Sequence, residues 1–372
     1  MSAPLSSPDT TSTEPGPPTD QQAASARVQG RGIHPLARFI LIRLLISAVL
    51  AIGVTLVTFI LTNLVPADPV QAMLGDRAAA DPEVVAQFRA NAGLDKPLPV
   101  QYVTYLGNLL QGDLGVSNQT RQPITDEIAR ALPASIELGI GAVLISIILG
   151  LLMGLAAALN RNKFADQFIR VISLFGVSAP TFWIATIAYY VFFLKLKLVA
   201  GSGRLDAGMI PPPDVTGMYV LDSLLAGDTF TAGNALSHLI LPSIVLSLTT
   251  IGLLTRFTRS AVLEVLNQDY VRAARAKGLP TSHVIWRYVF RGALVPVITV
   301  VGLAFGSLLS GAVLTETVFA WNGLGQFAYR GATQLDLPVI MGVGLVIGLI
   351  YIGVNFAVDL VYGFVDPRVR VK

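Results

Sequence analysis

The chain has 372 residues, 53% of them hydrophobic and 13% charged, with a mean hydropathy of +0.65; a soluble domain carries about 25% charged residues, so this is the composition of a membrane protein. The formal charge of +3 is split among short basic patches between apolar stretches, which argues against a nucleic-acid surface. The absence of cysteine excludes disulfides, thiolate metal sites and cysteine nucleophiles, and His34, His238 and His283 stand too far apart for a metal cluster and read as loop or helix-end residues.

Residues 1–32 hold five prolines among many Ser, Thr and Gln, with too few large apolar side chains to offset the entropy of ordering. A disordered cytoplasmic tail is expected there. A signal peptide is not expected, because the first apolar stretch begins only near Phe39 and is too long for an h-region. Six stretches then run without an ionised residue: 44–64, 138–159, 171–194, 239–255, 292–315 and 337–358. Each approaches the ~20 residues a helix needs to cross ~30 Å of hydrocarbon. Their apolarity is continuous rather than alternating, which favours helices over barrel strands. The expected fold is an all-α membrane protein with six spanning helices, in which Pro180, Pro242 and Pro296 are candidate kinks.

Basic residues set the orientation. Arg27, Arg31, Arg38 and Arg43 lie before the first span, and Arg161, Lys163 and Arg170 follow the second. Arg256, Arg259, Arg272, Arg275, Lys277, Arg287 and Arg291 follow the fourth, and Arg368, Arg370 and Lys372 close the chain. The alternate loops are poorer in bases, so both termini are expected in the cytoplasm. On the other side lie a 66-residue insert at 66–131, with eight acids against five bases, and a Gly- and Pro-rich loop at 196–238. Either is long enough to cover a vestibule or receive a partner, the alternative being a plain hydrophilic connector. The chain divides into the tail at 1–32, a first span plus extracytoplasmic insert at 33–131, and a five-helix core at 132–372 with a cytoplasmic loop at 256–291. Glu137 and Asp359, near opposite helix ends, are expected to reach water, so neither reads as a proton relay.

Within the loop, "DYVRAARAKGLPTSHVIWRYVFRGAL" (269–294) combines bases with small residues. A helix is expected from about Thr255 to Lys277, continuing out of the fourth span. Gly278 suits the left-handed position that closes a helix, and Pro280 blocks simple continuation. Thr281 or Ser282 is then placed to cap a second helix over 283–292. Ala274 and Gly278, four apart, would form a smooth face for the close approach of another protein, flanked by Arg272, Arg275 and Lys277. Resting on anionic lipid explains the charge but not the small residues, since a membrane-surface helix presents a bulky apolar face.

"RAARAKG" (272–278) resembles the small-residue-then-glycine loop by which permease subunits of ABC importers engage their ATPases. "NLVPADPV", "GLDKPLPVQYVTYLGNLLQGDLGVS", "LPASIELG", "GVSAPTFW" and "RGALVPVITVVG" are similar to blocks of the dipeptide and oligopeptide importer permeases, and together they cover about 38–372. Arg272 stands where the general importer pattern has Glu, as in the peptide-importer branch, and Pro296 falls later than that pattern's closing proline. The resemblance implies a type I, MetI-like importer permease in the cell membrane and assigns ATPase coupling to Arg272, Ala273, Ala274, Arg275, Lys277, Gly278 and Leu279. It also implies a second permease subunit, two cytoplasmic ATPase subunits and an extracytoplasmic peptide-binding protein as partners.

The chain itself lacks a phosphate-cradling loop, since none of its six lysines follows a glycine. No cofactor or catalysis is expected in it, and ATP and Mg belong to the partner ATPases. Arg161, Lys163 and Phe164, in "NRNKFADQFIR", form a second cytoplasmic contact or an ordinary basic loop. Ser178, Thr181, Trp183, Thr249 and Asn355 are the polar or amphipathic side chains within spans that could line a path, although helix packing is their commoner role. An ion-coupled transporter would place ionisable groups mid-membrane, and the six apolar runs contain none. A protease would need HExxH or a Ser–His pair; the first is absent, and Ser237–His238 lies in a helix-capping context. A receptor or scaffold is the remaining alternative.

Overall fold

The structure, a computed structural model, describes residues 35–64, 81–91 and 95–365. The expected tail at 1–32 lies outside them. Every named element among the described residues is helical, the only strand-like pairing being an isolated bridge between Val116 and Pro123.

Helix α1, Pro35–Leu64, packs antiparallel against the last helix and is tied to it by Arg43 and Asp359, 2.7 Å apart. Two short helices follow, α2 at Pro82–Asn91 and α3 at Leu98–Leu110. Helix α3 folds back on α1 through the Thr55–Tyr102 hydroxyl contact at 2.9 Å and the Phe59–Tyr102 ring pair at 5.3 Å. Part of the expected insert is thus packed on a span rather than left as free connector.

The centre is a pair of long helices, α4 at Ile124–Leu159 and α8 at Thr229–Leu266. Both start well before the apolar stretches that mark them, so each reaches beyond a ~30 Å hydrocarbon layer. Asp228 caps α8, accepting from the Thr231 amide at 3.0 Å. Small residues set the spacing of the pair: a Cβ on Gly141, Gly150 or Gly154 would lie 2.5, 2.6 or 2.5 Å from Ser243, Leu254 or Thr258 respectively. Without side chains there, Ser243, Leu254 and Thr258 of α8 seat directly against the α4 backbone, the close approach typical of membrane helix pairs. His238 is no helix-end residue; it is buried within α8, its Nδ1 3.0 Å from the Asn234 carbonyl oxygen.

The expected third span, 171–194, is broken. Helix α5, Phe164–Ser178, and helix α6, Thr181–Ala188, continued by a π-helical stretch at Tyr189–Lys195, meet at 107°. Pro180 explains the break. It forces Ala179 into an extended conformation (φ −80°, ψ 137°) and has no amide to continue the ladder.

The short α7, Tyr219–Leu225, precedes α8, and the elbow described below follows it. Helix α11, Arg291–Phe319, ends at Ala320 in left-handed geometry (φ 49°). Helix α12, Leu324–Thr333, and α13, Leu337–Val365, complete the chain. Among the described residues, four helices are long and apolar enough to cross a membrane, with a fifth if the bent α5–α6 pair counts as one. The remaining expected stretch, 292–315, lies within α11.

Candidate functional site

Helix α8 does not continue to Lys277 as the sequence suggests. It stops at Leu266, turns at Asn267–Gln268, and restarts as α9, Asp269–Ala276. The closing corner does form. Gly278 adopts φ 74°, its amide donates to the Arg275 carbonyl at 3.0 Å, and the Leu279 amide donates to the Ala274 carbonyl at 3.4 Å. These two bonds make a Schellman motif, which satisfies carbonyls that the helix end would leave open.

Beyond the corner, the N-cap is Pro280 rather than Thr281 or Ser282, and no side chain caps the helix. A single α-helical turn at Thr281–His283 (α10) passes into a π-helical stretch at Val284–Phe290 and then directly into α11. The second helix therefore does not end near 292; it is the N-terminal end of a helix reaching Phe319.

Ala274 is not on the exposed face of the elbow. With Val271 it is buried against Leu155 and Ala158 of α4, Ala261 and Val262 of α8, and Val284, Val289 and Ala293 beyond the corner. A small residue is needed there because three helices converge. The outward face of the elbow is instead Arg272, Ala273, Arg275, Ala276, Lys277 and Gly278, with Leu279 half-buried. Ala276 was not picked out from the sequence. The signal was present, since Val271 is the one large aliphatic residue of α9 and Ala274 sits one turn from it on the same face. Among the described residues, Arg272 pairs with Asp269 on its own helix, both largely exposed.

The second predicted contact lies beside the elbow, because α4 contributes Leu155 and Ala158 to the same core just before the turn at 160–163. Arg161 and Lys163 are exposed, and Phe164 is 81% exposed with its ring 6.0 Å from Phe168. Sequence reasoning missed what fixes this turn. Asp166 is fully buried and accepts from Arg259 of α8 at 2.8 and 2.9 Å and from the Asn162 amide at 2.9 Å. A lone acid in an otherwise basic loop was its only trace in the sequence.

The proposed path residues divide. Ser178, Thr181 and Trp183 sit together at the α5–α6 bend, with Trp183 6.5 Å from Phe175. Thr249 of α8 joins them by donating to the Gly176 carbonyl at 3.2 Å. Asn355 lies apart, on α13, bonded to its own helix at Tyr351.

At the opposite end of α4, Glu137 does not reach water. It is buried, accepting from Arg204 at 2.7 Å and from the Val220 amide at 2.7 Å, while the Arg204 guanidinium lies 3.6 Å from the Tyr219 ring centre. The loop carrying Arg204 is held by Asp222. Burial raises that carboxyl's pKa, but hydrogen bonds from the Thr216 hydroxyl and the Thr216, Gly217 and Val215 amides outweigh it, leaving a net lowering. A lowered folded-state pKa gives stability that is full above the unfolded value and lost as pH falls through the folded one. After correction for intrinsic rates, amide exchange at Thr216 and Gly217 should stay slow from neutral pH to about pH 4, near the free carboxyl value, and accelerate below it. Exchange already fast at neutral pH would show that Asp222 does not hold the loop.

Comparison with known proteins accounts for nearly the whole chain. Residues 36–139 match the family described as "Binding-prot-dependent transport system membrane comp, N-term", and residues 140–371 match "Binding-protein-dependent transport system inner membrane component". The chain is 44% identical over 318 residues to the di/tripeptide transport system permease protein of Pseudomonas aeruginosa, covering 86% of this chain and 94% of that protein. It is 42% identical over 334 residues to the dipeptide transport system permease protein of Haemophilus influenzae, covering 90% and 99%. With its counterpart in Escherichia coli K12 the identity is 39% over 340 residues, covering 91% and 100%.

Proposed function

Because the chain belongs to the binding-protein-dependent transport system inner membrane component family, we propose that it is the permease subunit of an ATP-driven importer of dipeptides or short oligopeptides. The observation that carries this reading is end-to-end similarity to peptide permeases, which takes in the elbow and both long central helices. A peptide cannot cross hydrocarbon unaided, because each unsatisfied backbone group costs several kcal/mol there. A polar route between this chain and a second, similar permease removes that cost.

In this reading the chain crosses the membrane six times, α11 supplying the span beyond the five apolar candidates, and its domains divide at 1–32, 33–131 and 132–372. The Arg43–Asp359 contact supports the placement of both termini on one side, since it joins the start of α1 to the end of α13. The insert at 66–131 is then extracytoplasmic and receives a peptide-binding protein. On the cytoplasmic side, Arg272, Ala273, Arg275, Lys277, Gly278 and Leu279 meet one of two ATPase subunits, which hold ATP and Mg. Ala274 supports that surface from beneath, and Arg161, Lys163 and Phe164 flank it. Because the elbow continues into α11, closure of the ATPases tilts that helix and switches the opening of the path.

Reconstituting the chain with its co-purifying subunits tests this. ATP-dependent peptide uptake that survives an ionophore is expected. Uptake abolished by dissipating the proton gradient with ATP present, or no nucleotide-hydrolysing subunit at the elbow by crosslinking, would refute it.

A further inference from the structure

The N-terminal end of α4, Arg204 and Tyr219, and α12 with the preceding Asn322 line an open polar pocket of about 400 Å³. Glu127, Arg130, Arg204, Tyr219, Asn322 and Arg330 line it. Its charges are unequally satisfied. Arg204, with a side chain only 10% exposed, is fixed by Glu137 and by the Gly217 carbonyl at 2.8 Å, yet its Nε has no partner. Arg130 and Arg330 reach only amide oxygens, Gln122 at 3.3 Å and Asn322 at 2.9 Å, and neither pairs with a carboxylate among the described residues. On the other side, the buried Oε2 of Glu127 has no hydrogen-bond partner.

Two guanidinium groups without a counter-ion and one carboxylate with a free oxygen, in a space suited to a small molecule, complement a compact zwitterion. A single anion would leave Glu127 unsatisfied, and a single cation would be repelled by the arginines. We propose that this cavity is a receiving site for the free peptide, which it holds by both charged ends: the C-terminal carboxylate on Arg130 and Arg330, the N-terminal ammonium on Glu127. Arg204 and Tyr219 form its rigid wall. The assignment of a peptide as the zwitterion rests on the import reading above. An acidic loop of the delivering protein would also meet the arginines, but it would offer nothing to Glu127.

Saturation-transfer NMR on the full chain in nanodiscs tests the site with alanyl-alanine as probe. Alanyl-alanine should give a signal. Its C-terminal amide and its N-acetyl derivative should each bind about tenfold or more weakly, as expected for loss of charge-assisted hydrogen bonds. Arg130→Gln with Arg330→Gln should remove the preference for the free carboxylate, and Glu127→Gln should remove only the preference for the free ammonium. Both arginines are exposed, so folding is not at stake in the first variant.

Equal signals from the dipeptide and its amide, no signal at all, or variants that change nothing would overturn the proposal. So would arginine variants that weaken docking of the peptide-binding protein while leaving alanyl-alanine binding intact, which would assign the cavity to that protein. Failure of the import reading shows elsewhere: alanyl-alanine would bind as described, but the assembled complex would show no ATP-dependent uptake.

Discussion

Replacing Gly278 with valine should lower peptide uptake by the assembled complex at least about tenfold while membrane insertion and partner assembly persist. Nothing lies within 4 Å of a Cβ built at this position, so the effect comes from the backbone rather than from a clash. At φ 74° an L-residue pays about 1–2 kcal/mol, and a β-branched side chain makes the conformation an outlier. The corner would relieve that strain by opening, breaking the Gly278–Arg275 and Leu279–Ala274 bonds that set the angle between α9 and the helix leading into α11. ATP hydrolysis should continue, uncoupled from transport. Gly278→Asn, which tolerates left-handed geometry, should retain most of the uptake. Parental uptake in the valine variant would remove the corner from the transmission route.

The second large effect is expected at Arg259. Changing it to leucine leaves the fully buried Asp166 without its bidentate partner, a loss of about 3 kcal/mol, at the lower end for buried pairs because the Arg259 side chain is 21% exposed. Unfolding in mixed detergent micelles reads this directly, and α5 should become the first segment to lose amide protection. The double variant Arg259→Leu with Asp166→Asn should recover much of the loss, because the uncompensated charge is gone and asparagine's carbonyl oxygen can still accept from the Asn162 amide. A single variant within about 0.5 kcal/mol of the parent, the usual effect of a surface change, would mean that the pair does not pin α5 to α8.

What could be read from the sequence follows how local each cause is. Long uncharged runs mark helices because lipid and helix geometry act on consecutive residues. The Gly278–Pro280 corner was legible for the same reason, its chemistry lying within four residues. The stop at Asn267–Gln268 was not, since no Gly or Pro marks it and α9 is redirected by burial of Val271 and Ala274 against α4 and α8. Pro180 stood in plain view, but a proline inside an apolar run is equally consistent with a shallow kink and a sharp break. The inward turn of Ala274 shows the limit of a small-residue face, which fits a neighbouring helix of the same chain as readily as a foreign one. Glu137 with Arg204 and Asp166 with Arg259 are separated by 67 and 93 residues. Such pairs depend on tertiary packing, and composition gives no hint of them.

The glycine-lined contact between α4 and α8 limits how the proposed permease can move. Gly141 and Gly154 are 13 positions apart, so along about 20 Å of α4 the glycines let the Ser243, Leu254 and Thr258 side chains of α8 seat against its backbone. Sliding one past the other would drive Ser243, Leu254 and Thr258 into backbone, so the two behave as a single stiff strut. By the same measure α5 belongs to the strut, since the Asp166–Arg259 pair and the close approach of Gly252 to the Ser173 carbonyl fix it to α8; in the proposed mechanism a stroke at the elbow would then be taken up by α11, which is continuous with it.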